Sequence, residues 1–274
     1  MDLLSAIARP VVALFVALLV FGVLERIFRA DRAGMPFRRK GFATDLAWWM
    51  TTSVVTRVVT KVGVGLAVFA LAWWTTGRPL RDAELLAFVA RDTWAAALPA
   101  PIEWLLTLIA ADLIGYWIHR AFHLGWLWKV HAVHHSSERL DWLAAVRNHP
   151  LNDVLAGVVR IVLLVLLGFR PLVLAGVVPA LTLYAIVLHA NVGWTFGPLR
   201  RVIASPMFHR HHHARDVDGE GVNFGGLLAV WDVLFGTFQA PTTSLLPATG
   251  VRDPIPPSFL GQLAYPFRRG ALKA

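Results

Sequence analysis

Long apolar runs separated by short charged segments dominate the first 190 residues. The first run extends from about Arg9 to Phe28, roughly the 20 residues a helix needs to cross a hydrocarbon core of about 30 Å. Its start carries only Asp2 and Arg9. Its end leads into Arg26, Arg29, Arg32, Arg38, Arg39 and Lys40, not into the small-residue cleavage site of a secretory signal. The pattern therefore predicts a retained anchor followed by a cytosolic basic loop. A second stretch, about Asp45 to Trp74, is longer than one span needs, and Arg57 and Lys61 mark a polar face on it. It is expected to tilt, to break near Gly63, or to begin along the interface. Its Trp48-Trp49 and Trp73-Trp74 pairs suit the two interfaces.

Residues 76–100 mix charged and apolar positions (Arg78, Asp82, Glu84, Arg91, Asp92) and belong on the far side, in part re-entrant. A third run, about Pro101 to Phe122, returns to the cytosol. A fourth and fifth, about Pro150–Gly168 and Pro171–Ala190, are joined by the short turn Gly168-Phe169-Arg170-Pro171 and predict a helical hairpin dipping in from the cytosolic side. Near residue 206 a short helix is expected, with Ser205 as N-cap and Pro206 in its first turn. Beyond about Val217 the chain reads as an ordered cap packed by Trp231, Phe235 and Phe238. No internal repeat, low-complexity stretch or strand-period alternation stands out.

The resulting fold class is an all-α polytopic membrane protein. It has about four spanning or membrane-dipping helices and a cytosolic histidine-rich helical cap. Three regions follow: anchor helices over 1–100, a catalytic domain over 101–240 and a cytosolic tail over 241–274. Composition agrees, with 57% hydrophobic and 16% charged residues and a mean hydropathy of +0.58, against about half apolar and a quarter charged in soluble domains. The net charge of +9 is not read as a nucleic-acid footprint, because the basic residues gather at the ends of apolar runs. The absence of cysteine excludes disulfides, iron–sulfur clusters and thiolate-bound zinc or haem.

All 11 histidines fall between residues 119 and 213. They form His119-x-x-x-His123, His131-x-x-His134-His135 and His209-x-x-His212-His213, with His149 and His189 between. Helical positions i, i+3 and i+4 share a face, so each cluster can aim its imidazoles at one point. Imidazole is a common ligand for iron, copper, nickel and zinc, and this many imidazoles point to two ions. His211 lies off the shared face and is expected to face solvent. Asp112 precedes His119 by two helical turns inside an apolar run. A buried carboxylate there is either an acceptor for a ligand histidine N–H or a helix-packing or cavity residue.

The ordered set of motifs resembles the fatty acid hydroxylase/sterol desaturase family of membrane enzymes. It comprises Asp112-x3-Tyr116-Trp117-x-His119-x3-His123, Trp128-x2-His131-x2-His134-His135-Ser136, Arg147-Asn148-His149-Pro150, His189-x-Asn191, Pro206-x2-His209-x2-His212-His213, Asn223-Phe224-Gly225 and Trp231-Asp232-x2-Phe235-Gly236-Thr237. Together these cover roughly residues 105–238. The resemblance implies a dinuclear metal centre held by histidines at the cytosolic membrane face, with dioxygen and electrons used to hydroxylate or desaturate lipid chains or sterols. It implies one ion on His119, His123, His131, His135 and His212, and another on His134, His189, His209 and His213. The expected cofactor is two iron ions, with zinc as a substitute that cannot change oxidation state, and O₂ as co-substrate. Some fatty-acid 2-hydroxylases resembling this region carry a further histidine where this chain has Ala185, so His149, Asn191 or water is expected to complete the second site.

Expected partners are a lipid substrate, the bilayer and a separate electron donor, ferredoxin or cytochrome with its reductase. Arg200, Arg201, Arg210 and Arg215 near the last cluster suit an acidic donor or phospholipid headgroups. Two other classes of function compete with this one. A zinc-dependent membrane hydrolase needs a base placed as in His-Glu-x-x-His, and no such motif occurs; Glu138 and Asp141 are not at that spacing. A metal-binding or transport protein needs ligands along a crossing path, whereas these collect on one face.

Overall fold

Three helices are long and apolar enough to cross a bilayer in the computed structural model, which describes residues 3–31, 39–215, 221–240 and 246–268. They lie in α1 (Leu3–Ile27), in the continuous helix formed by α2 (Phe42–Thr51), a π-helical turn (Thr52–Thr56) and α3 (Arg57–Thr76), and in α5 (Ala100–Phe122). α4 (Asp82–Val89) caps the end distant from the histidines. α6 (Gly125–His135) leads to the hairpin of α7 (Pro150–Leu166) and α8 (Leu174–His189), followed by α9 (Pro206–His212), α10 (Val230–Leu234) and α11 (Phe259–Ala264). Among the described residues there are only isolated bridges and no strands, so the chain is a membrane helical protein.

Lipid, not water, explains the outer surface. Only 17% of the α1 span is buried, and Val12, Phe15, Leu19 and Ile27 stand exposed along it. A continuous apolar surface of that size marks contact with a membrane. Inside, α3, α5, α7 and α8 share a core that includes Val68, Leu71, Ile114, Ile161, Leu164 and Val177. Gly63 and Gly157 let α3 and α7 cross closely: a Cβ at Gly63 would come 3.2 Å from Val154, and one at Gly157 would come 3.1 Å from Thr60. Gly63 is therefore a packing position, and the expected break there is absent. The irregularity falls about two to three turns earlier, in the π-helical turn at Thr52–Thr56.

At 35 residues, the α2–α3 helix exceeds a bilayer's thickness. Its first part is built into the cap. Trp48 is fully buried and its indole N–H donates to Gln262 Oε1 at 2.7 Å. Trp49 donates to the Pro10 carbonyl at 3.0 Å and packs edge-on against Trp142. The expectation of an interfacial Trp48-Trp49 pair is thus overturned, whereas Trp73 and Trp74 are exposed at the other end. The hairpin turn forms where expected: Gly168 adopts φ +87, Trp94 donates to the Leu167 carbonyl, and Arg170 pairs with Glu103 at the start of α5.

The end of α1 meets the histidine cap. Ala30 N donates to Asn191 O at 3.1 Å and Gly193 N to Phe28 O at 2.9 Å. Arg39 pairs with Asp141 and Asp45, and Lys40 with Glu138. The described part of the basic loop therefore lies at the same end as the histidines; Arg32 and Arg38 lie outside the described residues. Residues 241–245 and 269–274 of the expected tail are likewise outside them, while α11 and Tyr265 pack on α6 and α2.

Candidate metal centre

Four helices end at one place. α5 ends at Phe122 with His123 as its C-cap, α6 ends at His135, α8 at His189 and α9 at His212, with His213 just beyond. Helix C-termini carry partial negative charge, so four of them converging favours a cation. Local chemistry fixes each stop. Gly125, at φ +51, turns the chain between α5 and α6. Ser205 Oγ accepts from Phe208 N at 3.2 Å and starts α9 as expected.

Nine imidazoles meet there in two groups, His119, His123, His131, His135 and His212 in one, His134, His189, His209 and His213 in the other; in each, one nitrogen per ring lies within 4.8 Å of the rest. This membership equals the division that the family resemblance implied. His119 and His123 are half-buried and the other seven are buried. The two groups touch: His135 stacks on His213 with ring centroids 4.2 Å apart.

Five rings are oriented from behind. Nδ1 of His119 donates to Phe224 O (2.9 Å), of His131 to Asn152 Oδ1 (3.0 Å), of His134 to Arg147 O (3.3 Å), of His189 to Ala185 O (2.7 Å) and of His212 to Val222 O (2.9 Å). A neutral ring that donates through Nδ1 presents a bare lone pair at Nε2. Accordingly Nε2 of His119, His131 and His212 is buried with no partner, and so is Nε2 of His135. In the other group, Nε2 of His134 lies 3.1 Å from that of His189, which lies 3.2 Å from that of His209. Because His134 and His189 both hold their protons at Nδ1, these facing lone pairs repel unless a cation lies between them. The spacing suits nitrogens sharing an ion at bonds of about 2.1 Å. The donor set thus fits two metal ions.

Burial pushes the titration of His131, His134, His135, His209, His212 and His213 well below the ordinary histidine range, and neighbouring imidazoles push it further. Neutral rings are what a metal requires.

The acceptors for His119 and His212 sit on the segment Val222–Leu228, which is held by two carboxylates. Asp232 accepts from Phe224 N (2.7 Å), Gly225 N (2.8 Å) and Thr237 Oγ1 (2.7 Å). A side chain at Gly225 would collide with Leu228 O at 2.6 Å. Asp112 accepts from Leu227 N (2.8 Å), Leu228 N (3.0 Å) and Trp231 Nε1 (2.9 Å). A bond to a ligand histidine is therefore not made, because two backbone amides and the Trp231 indole occupy the carboxylate; it acts on His119 through this loop.

Four further expectations need correction. His149 caps α7: Nδ1 accepts from Leu151 N (3.2 Å) and Nε2 donates to Leu263 O (3.1 Å), so both nitrogens are occupied away from the centre. Asn191 accepts from Asp31 N (3.0 Å) and Arg210 (2.8 Å) through Oδ1 and donates through Nδ2 to Asp31 O (3.0 Å), so its side chain is committed to these partners. His211 is outside both groups, as its helical position required, yet buried, because the cap covers the far side of α9. Arg210, offered above as a docking residue, is also buried and donates to Leu140 O at 3.0 Å. Asn152 was missed; a lone asparagine in the first turn of an apolar helix after His149-Pro150 was its only signal.

Two adjoining groups of imidazoles thus lie at one end of the apolar helices, placed so that they could hold metal ions. Residues 104–237 match the family model for the fatty acid hydroxylase. The ornithine lipid hydroxylase OlsE of Rhizobium tropici is 29% identical over 256 residues, which cover 93% of this chain and 74% of that protein. The alkylglycerol monooxygenase of Homo sapiens is 31% identical over 157 residues, 57% of this chain and 34% of its own length. That of Danio rerio is 32% identical over 153 residues, 56% and 33% respectively. The chain therefore spans about a third of the alkylglycerol monooxygenases it resembles. No solved structure matches. These matches fit the fatty acid hydroxylase/sterol desaturase family, and the named relatives are lipid hydroxylases and monooxygenases.

Proposed function

We propose that this protein is an integral-membrane lipid hydroxylase in which the two histidine groups hold two iron ions. The observation that carries this reading is the facing of bare Nε2 lone pairs across His134, His189 and His209, with outward-held protons on His134 and His189. Iron bound there would supply the activation of dioxygen. One oxygen atom would enter a C–H bond of the lipid, and the other would leave as water, consuming two electrons and two protons from a separate donor.

The chain's own residues supply orientation and enclosure. Asn152, Ala185, Arg147, Val222 and Phe224 hold imidazole protons outward, so the ligand nitrogens keep their aim. Apolar helices α5, α7 and α8 border the centre on the membrane side, so an acyl chain or ring system reaches it from the bilayer while bulk water stays out. Hydrolytic chemistry is disfavoured: among the described residues both groups consist of histidines alone, with no carboxylate among them to serve as base. The names of the relatives favour hydroxylation over desaturation.

Elemental analysis of protein expressed with iron tests the centre. About two metal ions per folded chain are expected, and less than half an equivalent overturns the proposal. We further propose that the histidine end is cytosolic, since Arg26, Arg29, Arg39 and Lys40 flank it. A phosphatase fused to the C-terminus is then expected to be inactive outside the cell; external activity contradicts this topology.

A further inference from the structure

Arg160 is a guanidinium in the middle of a helix that is otherwise apolar beyond Asp153. Such a group carries five N–H donors. Nonetheless its Nε is buried with no hydrogen-bond partner. It feels the charges of Asp112 and Asp153, but neither is bonded to it. The oxygens of Asp112 are taken by Leu227, Leu228 and Trp231, and the carboxylate of Asp153 meets only Asn152 Nδ2, at 3.4 Å. An ionised side chain at membrane depth without hydrogen bonds is costly and marks a functional position.

Two helices place it under the metal centre. On α5, Asp112, Gly115 and His119 share a face, and a Cβ at Gly115 would come 3.3 Å from Arg160 Nη2. The guanidinium thus lies against bare backbone one turn, about 6 Å, to the membrane side of His119. On α7, Asn152, two turns before Arg160, bonds His131 at 3.0 Å. Asp153 lies seven residues before Arg160, on the same face. Arg160 and Asp153 are both only partly buried, so their polar ends are not sealed off by side-chain packing.

Arg160 is about 15 Å along α7 from its start at Pro150, too deep for a phospholipid headgroup. With two carboxylates nearby, its charge is already offset, so an anion gains little there. Building on the oxygenase reading, we infer that Arg160 and Asp153 form a polar subsite for an uncharged oxygen within the lipid substrate, such as a hydroxyl or carbonyl. Arg160 donates to that oxygen, and Asp153 accepts from it when it carries a proton. The substrate is then an oxygen-bearing lipid held with that oxygen close to the attacked carbon, and not a plain hydrocarbon chain held by fit alone.

The test uses the full, iron-loaded chain in lipid nanodiscs, titrated with octadecanol and with octadecane while the apparent melting temperature is followed. Wild type is expected to bind octadecanol roughly ten- to hundredfold more tightly than octadecane, the range for a buried hydrogen bond to a charged donor. In Arg160→Met that preference should vanish while octadecane binding stays within about twofold. Equal binding of the two probes by wild type, or an unchanged preference in Arg160→Met, overturns the inference. If Arg160→Met does not fold, Gly115→Ala, which crowds the guanidinium, should weaken the preference, and an unchanged preference again overturns it. ¹⁸O₂ labelling of a lipid extract by the wild type separates the two readings. Label without a probe preference removes the subsite alone. A preference without label removes the oxygenase reading and leaves a lipid-binding site.

Discussion

His213→Ala is expected to abolish lipid hydroxylation and to lower bound metal. His213 Nε2 lies 3.1 Å from His209 Nε2, and its ring stacks on His135 of the other group. It therefore touches both halves of the centre. Loss of a group that merely orients a ligand costs ten- to a hundredfold, so loss of this nitrogen should exceed about a hundredfold in kcat/KM. The control is His211→Ala, two residues away on the same short helix and outside both groups. Its metal content should be unchanged, and its stability should fall by about 1 kcal/mol because the ring is buried. Metal analysis beside activity decides the matter; equal metal loss in both variants would remove the division between ligands and neighbours.

Asp45→Ala should be the most destabilising single change outside the centre. Asp45 is fully buried and bridges Arg39 at 2.5 Å and Arg147 at 2.6 Å. Arg39 keeps Asp141, but Arg147 loses its carboxylate and retains only Ser136 Oγ at 3.1 Å. Removing one partner of a buried ion pair costs about 3–5 kcal/mol. The apparent melting temperature should fall by about 10 °C, measured in detergent. The loss also reaches the site, since the Arg147 carbonyl accepts from His134 Nδ1. A melting temperature within a degree or two of wild type would contradict this description of the cap.

What the sequence made legible follows from range. Histidine spacing at i, i+3 and i+4 gave the faces of α6 and α9, because helical periodicity is local. Ser205-Pro206 and the Gly168–Pro171 turn were read for the same reason. The misreadings have distant partners. Trp48 is buried by Gln262, His149 is satisfied by Leu263, and Asp112 is saturated by residues 227–231. Helical geometry placed His211 off the ligand face but carried no information about what covers the opposite side. Arg160 left a signal that went unread: a lone arginine seven residues after Asp153 in an apolar run.

The central claim is that the two histidine groups serve oxygen insertion into a lipid. Incubating the reconstituted, iron-loaded protein with ¹⁸O₂, a reductant and a lipid extract tests it most directly. The account predicts one ¹⁸O atom in a hydroxylated lipid, with none in the same experiment on His213→Ala. A product whose new oxygen derives from water, or no oxygen-dependent product from protein holding its two ions, would contradict it.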